Sequence, residues 1–61
     1  MKPGRYKHFR GKEYEVIGEG IHTETEEELV FYTDGERFFA RPKKMFLDEV
    51  DGKPRFKFIS D

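Results

Sequence analysis

Cysteine is absent from this chain, which removes disulfides, thiolate nucleophiles and cysteine-type zinc fingers together and fits a reducing compartment. The only serine, Ser60, lies next to the last residue, so neither His8 nor His22 has a nucleophile nearby in sequence. No apolar run approaches the roughly 20 residues that span a bilayer. Met1-Lys2-Pro3-Gly4 is not followed by the apolar stretch of a signal peptide, so a cytoplasmic protein with no membrane partner is expected. Large net charge is also missing: the formal value is -1, which weighs against nucleic acid as the partner. Length sets the last exclusion. With 61 residues there is room for one domain, residues 1–61, and its core must be thin.

What is present is aromatic area and patterned charge. Three Tyr and seven Phe concentrate the apolar surface in large side chains, so a short chain can fold without staples. Lys2, Arg5, Lys7, Arg10 and Lys12 are followed by nine acids and no Lys or Arg between residues 13 and 36, and positive charge returns from Arg37 onward. If the first and last thirds lie side by side, the molecule carries one basic face. Such charges also keep β-proteins soluble and blunt exposed strand edges.

Strand signals dominate. Tyr14 and Val16 alternate with Glu13 and Glu15, the period of a half-buried strand, and Tyr6 to Phe9 forms a shorter one before an Arg10-Gly11 turn. Gly18 and Gly20 predict a bulge or bend, with Ile21 and His22 beyond it. Thr25 and Glu28 have capping-box spacing, which predicts at most one helical turn in the polar connection after His22. Asp34-Gly35 predicts a two-residue type I′ turn, which would place Thr33 opposite Glu36, Tyr32 opposite Arg37, Val30 opposite Phe39 and Glu28 opposite Arg41. One face of that hairpin carries Leu29, Phe31, Phe38 and Ala40 and is expected to be core. The other carries Glu28, Val30, Tyr32, Arg37, Phe39 and Arg41.

Pro42 has no amide hydrogen for a ladder, so it ends the strand and opens a short helical or 3₁₀ turn in which Met45 or Phe46 plugs the fold. A last hairpin is expected between Leu47 to Val50 and Arg55 to Ile59 around Asp51-Gly52-Lys53-Pro54, with Phe56 and Phe58 on one face. Five short strands with that turn before the last of them predict an all-β fold, a small five-stranded Src-homology-3-like barrel.

Chemistry is sparse. The carboxylates from Glu24 to Glu28 sit on a solvated connection and lack the environment that raises an acid's pKa, so no enzyme activity is expected. His8, His22 and Glu24 match no ligand spacing, and no metal or cofactor is expected either. The second hairpin face is the candidate contact surface: Val30, Tyr32 and Phe39 edged by Arg37 and Arg41, with His22 and Glu24 on its rim. Aromatic anchors beside arginines suit a peptide or partner domain first, and stacked bases with Lys43, Lys44 and the N-terminal strand second. Self-association through the same patch or a strand edge, giving a monomer or weak homodimer, is the third reading.

Gly4, Tyr6, His8, Gly11, Tyr14 and Val16, then His22-Thr23-Glu24-Thr25, Arg41-Pro42 and Met45-Phe46 resemble the bacterial family known as domain of unknown function 1653, from Lys2 to Ile59. The resemblance implies a Src-homology-3-type barrel in a bacterial cytoplasmic protein and no established activity. Family members usually carry Trp-Val-Arg-Pro where this chain has Phe39-Ala40-Arg41-Pro42, and a longer glycine-containing loop where it has Thr33-Asp34-Gly35-Glu36. Phe39 keeps the aromatic face and loses the indole donor.

Overall fold

A computed structural model describes all 61 residues. The strands are β1 (Gly4–His8), β2 (Glu13–Ile21), β3 (Glu28–Thr33), β4 (Phe38–Pro42), β5 (Glu49–Val50), β6 (Lys53–Pro54) and β7 (Phe56–Ser60), with the helical turn α1 (Lys43–Phe46) after β4. Five of them form one antiparallel sheet in the order β4-β3-β2-β1-β7, while β5 and β6 make a separate two-stranded ladder. The fold is all-β with a five-stranded sheet, as expected, but β4 and β7 are its two ends and are not hydrogen-bonded to each other, so the sheet does not close into a barrel through its ladders. No helix is long and apolar enough to cross a membrane.

The core consists of Tyr6, Val16, Val30, Tyr32, Phe46 and Phe56, with Met1, Tyr14, Phe39 and Phe58 packed against it. Phe46 is the predicted plug. Its ring is fully buried and stacks on Phe56 at 4.1 Å and 3°, while Met45 on the same turn is 43% exposed. Beneath the plug the Lys43 ammonium holds Glu19 at 2.9 Å and keeps its carboxyl below the usual carboxylate range; the N-terminal amine holds the other oxygen at 3.0 Å.

The bulge falls where the glycines predicted it. Val16 pairs with Tyr32 and Gly18 with Phe31, so Ile17 is the extra residue and the alternation of β2 changes sides across it. Beyond the bulge Gly20 faces outward under the Phe31 ring, where a Cβ would come within 2.6 Å of ring carbon Cε2.

The central hairpin departs from expectation in two ways. Thr33 pairs with Phe38, Tyr32 with Phe39 and Val30 with Arg41, a register two residues from the predicted one, with a loop over residues 34–37. The Asp34 carboxylate explains it: Oδ1 accepts the amides of Glu36 and Arg37, both at 2.9 Å, so those donors turn inward to the loop and the ladder starts beyond them. A shift of two leaves the two faces of the hairpin as predicted, yet the expected core is on the outside. Val30 and Tyr32 point inward, and Phe38 is 77% exposed. The inward face is chosen by Val16 and Tyr14 on β2, by Phe46 on the turn just after the hairpin, and by Phe56, fourteen residues beyond it.

Two smaller expectations are also corrected. The closing hairpin is β5–β6, whose turn has positive φ at both Asp51 (53°) and Gly52 (79°), as a type I′ turn requires. Phe56–Ser60 leaves it and pairs with β1 instead, with Lys7 opposite Lys57 and His8 opposite Phe56. The connection after His22 keeps within the single turn expected, closed by the Glu26 amide on the His22 carbonyl at 2.8 Å, but Thr25 does not cap it: its hydroxyl accepts from the Glu27 amide at 3.3 Å.

Hydrogen bonds from the Arg37 and Glu36 amides, in that order, hold the Asp34 carboxyl down at about 2, with Lys12 at 3.2 Å adding to the effect. A folded-state value below the unfolded one stabilises the fold above about pH 4, and that contribution is lost as pH falls through about 2. Asp34→Asn is therefore expected to flatten the acid limb of stability against pH between about 4 and 2. Urea titrations across that range check it, and an unchanged limb would contradict the loop's carboxylate anchoring.

Candidate anion site at the sheet opening

Where the sheet stays open, aromatic rings and the Arg41 guanidinium gather around Phe56, with Arg55 next to it in the chain. The ring of His8 stands 4.9 Å from Phe56, Tyr32 5.5 Å and Tyr14 5.8 Å, all edge-on. Phe39 completes the wall, 5.4 Å from Tyr32 and 6.1 Å from Tyr14. Arg41, half-buried on β4, extends across this floor with Cζ 5.7 Å from the Phe56 centroid, and its Nε–H donates to the Tyr32 hydroxyl at 3.2 Å.

The two arginines differ in one respect. Arg55 is clamped by Asp48, Nε to Oδ1 at 2.7 Å and Nη2 to Oδ2 at 3.3 Å, a bidentate pair that pulls the carboxyl down. Arg41 makes no ion pair within 4 Å, and its charge adds only a lesser pull on the Asp48 carboxyl. His8 is held neutral: burial lowers its pKa first, and the charges of Arg41, Arg55 and Arg10 lower it further. Its Nδ1 accepts the Arg10 amide at 3.2 Å, which leaves Nε2 as the nitrogen carrying the proton.

The residues chosen from sequence do not form one surface. Val30 is fully buried and Tyr32 is 5% exposed, so neither is a contact residue on an open face; both are core, with only the Tyr32 hydroxyl reaching the opening. Phe39 and Arg41 line the opening. Arg37 is exposed in the 34–37 loop, where its carbonyl accepts the Thr33 hydroxyl at 2.7 Å. His22 and Glu24 lie beyond the opposite end of β3, and His22 Nδ1 accepts the Glu24 and Thr25 amides at 3.1 and 3.4 Å, a loop-shaping role. Lys43, assigned to the nucleic-acid reading, is engaged by Glu19 and Glu28. No three His, Asp or Glu side chains are grouped as a metal would need.

His8, Tyr14 and Arg55 escape a reading confined to one hairpin, because β1–β2 and β1–β7 pairing brings them together. The available signal was the alternation that puts Tyr14 on the face of Val16, and the placement of His8 two residues after Tyr6.

Residues 4–58 match the family described as protein of unknown function DUF1653, and the chain belongs to that family. Its fold is similar to the crystal structure of a DUF1653 protein from Bordetella bronchiseptica, with a TM-score of 0.88 at 29% identity, covering 97% of this chain and 87% of the other. No curated protein matches this chain.

Proposed function

We propose that this domain is a non-catalytic binding module that takes an acidic side chain of a partner protein at the sheet opening, with Arg41 as its anchor. The carrying observation is the unpartnered Arg41 guanidinium, half-buried over Phe56 and oriented by the Tyr32 hydroxyl. A guanidinium held on an aromatic floor has lost much of its freedom before binding, and its remaining N–H groups are free for a carboxylate. His8 Nε2–H stands near the same floor as a neutral donor, and Phe39 and Tyr14 supply the aromatic wall for the flanking residues of a peptide. Arg55 cannot substitute for Arg41, because Asp48 already occupies its fork.

Amide NMR titration with a short peptide carrying one Glu between apolar residues tests this reading. Shifts are expected at His8, Tyr14, Phe39 and Arg41, and the matching Gln peptide is expected to leave them unmoved. Arg41→Gln is expected to weaken the Glu peptide by about tenfold or more, the scale of a charge-assisted hydrogen bond. A Glu peptide that binds Arg41→Gln undiminished would refute the assignment.

A further inference from the structure

The sequence suggested a basic face if the two ends of the chain met, and the β1–β7 ladder brings them together. On the outer side of that ladder lies a groove of about 630 Å³ whose lining includes Lys7, Lys53 and Lys57, the apolar Phe9, Pro54 and Ile59, and one acid, Glu13. Lys7 and Lys57 sit directly opposite one another, an arrangement that costs stability in an isolated sheet. Neither they nor Lys53 makes an ion pair. Glu13 lies across from Lys7 on the other side, yet its carboxylate bonds Arg5 at 3.2 Å. This is not for want of acids, since the chain has 13 Asp and Glu against 12 Lys and Arg.

From this charge pattern we infer that the groove binds the sugar-phosphate backbone of a single-stranded nucleic acid, at a site separate from Arg41. Three lysines line one concavity against a single acid, Glu13, whose carboxylate is engaged by Arg5, and lysines serve phosphates as point charges without a bidentate geometry. Phe9, 41% exposed, with Pro54 and Ile59 gives the apolar wall against which sugars and base edges rest. Arg10 lies over Phe9, with Cζ 5.6 Å from the ring centroid, and extends the positive strip beyond the groove. Net charge, which argued against nucleic acid from sequence, is an average that hides this separation. A groove of about 630 Å³ accommodates a few nucleotides of one strand.

Fluorescence anisotropy with a labelled ten-nucleotide oligothymidylate tests the proposal. Three phosphate contacts on a single strand predict a slope of log affinity against log salt near -2, about a twentyfold loss between 50 and 200 mM salt. Lys7→Gln/Lys57→Gln is expected to bring that slope to about -0.7, and its melting temperature is expected to hold or rise because a like-charge pair is gone. Lys53→Gln, in the exposed β5–β6 hairpin, is expected to lower the slope by about 0.7 on its own. Absence of binding at 50 mM salt, an unchanged slope in these variants, or a duplex of equal length binding as tightly would overturn the site. So would a decaglutamate peptide that displaces the oligonucleotide at equal concentration and loses affinity in parallel in the lysine variants. Arg41→Gln is expected to leave oligonucleotide binding intact, which separates this result from the peptide reading.

Discussion

Phe46→Ala is expected to cost about 3–5 kcal/mol and to leave the domain largely unfolded at 37 °C. The estimate follows from position as much as from size. Phe46 is fully buried, parallel to Phe56 at 4.1 Å, and edge-on to Tyr6 and Tyr32 at 5.4 and 5.5 Å. One side chain therefore touches aromatic residues from β1, β3 and β7, strands that do not all pair with one another. The α1 turn is too short to hold itself, so losing the ring frees the turn as well as opening a cavity. Marginal stability of about 0.05–0.15 kcal/mol per residue allows a domain of this size roughly 3–9 kcal/mol in all. Phe46→Leu, which keeps most of the volume, is expected to cost about 1.5 kcal/mol or less and to remain folded. Urea denaturation of both variants checks the pair, and a folded Phe46→Ala with a loss under about 1 kcal/mol would show that the plug is not holding the open sheet together.

Two identical dipeptides show what a sequence can and cannot reveal about this fold. Asp34-Gly35 and Asp51-Gly52 carry the same turn signal, and only the second forms the type I′ turn, with positive φ at both residues. At the first, the Thr33 hydroxyl and the Asp34 carboxylate take the amides of Gly35, Glu36 and Arg37, and side-chain hydrogen bonding wins over the tighter turn. Local features were legible because their causes are local: Pro42 ending β4, Phe46 under the helical turn, the bulge before Gly18, and Phe56 with Phe58 on one face. The inward side of the β3–β4 hairpin was not. Local composition favours the wrong face, since Leu29, Phe31, Phe38 and Ala40 are all apolar while the other face carries three charges, and the decision comes from Val16 on β2 and from Phe56 at the other end of the chain.

That inversion also explains why the residues grouped from sequence are dispersed in the fold. An inward face need not be buried along its whole length, since residues at the strand ends emerge at the opening. Arg41 can sit on the same face as Val30 and still reach solvent, because its long stem crosses the aromatic floor before the charged head. The sequence places Val30, Tyr32 and Phe39 beside this arginine as an open surface, whereas Val30 and Tyr32 are core. The basic groove was foreshadowed by the charge asymmetry alone; its lysines come from β1, β6 and β7, and the β1–β7 pairing joins two of the three.

Tyr32 separates these roles within one side chain. Tyr32→Ala is expected to lose about 3–5 kcal/mol, because it empties a site in contact with Tyr14, Phe39, Phe46 and Phe56. Tyr32→Phe keeps every ring contact and removes only the hydroxyl that accepts Arg41 Nε–H at 3.2 Å, for which about 0.5–1.5 kcal/mol is expected. The peptide reading adds a second expectation that stability alone does not: with its orienting acceptor gone, Arg41 regains freedom, and Tyr32→Phe is expected to bind the Glu peptide several-fold more weakly while remaining folded. Equilibrium denaturation and the NMR titration on the same two variants read the effects independently. A Tyr32→Ala loss below about 1 kcal/mol would return the ring to the surface, whereas a fully stable Tyr32→Phe with undiminished peptide affinity would leave the ring in the core and take the hydroxyl out of the site.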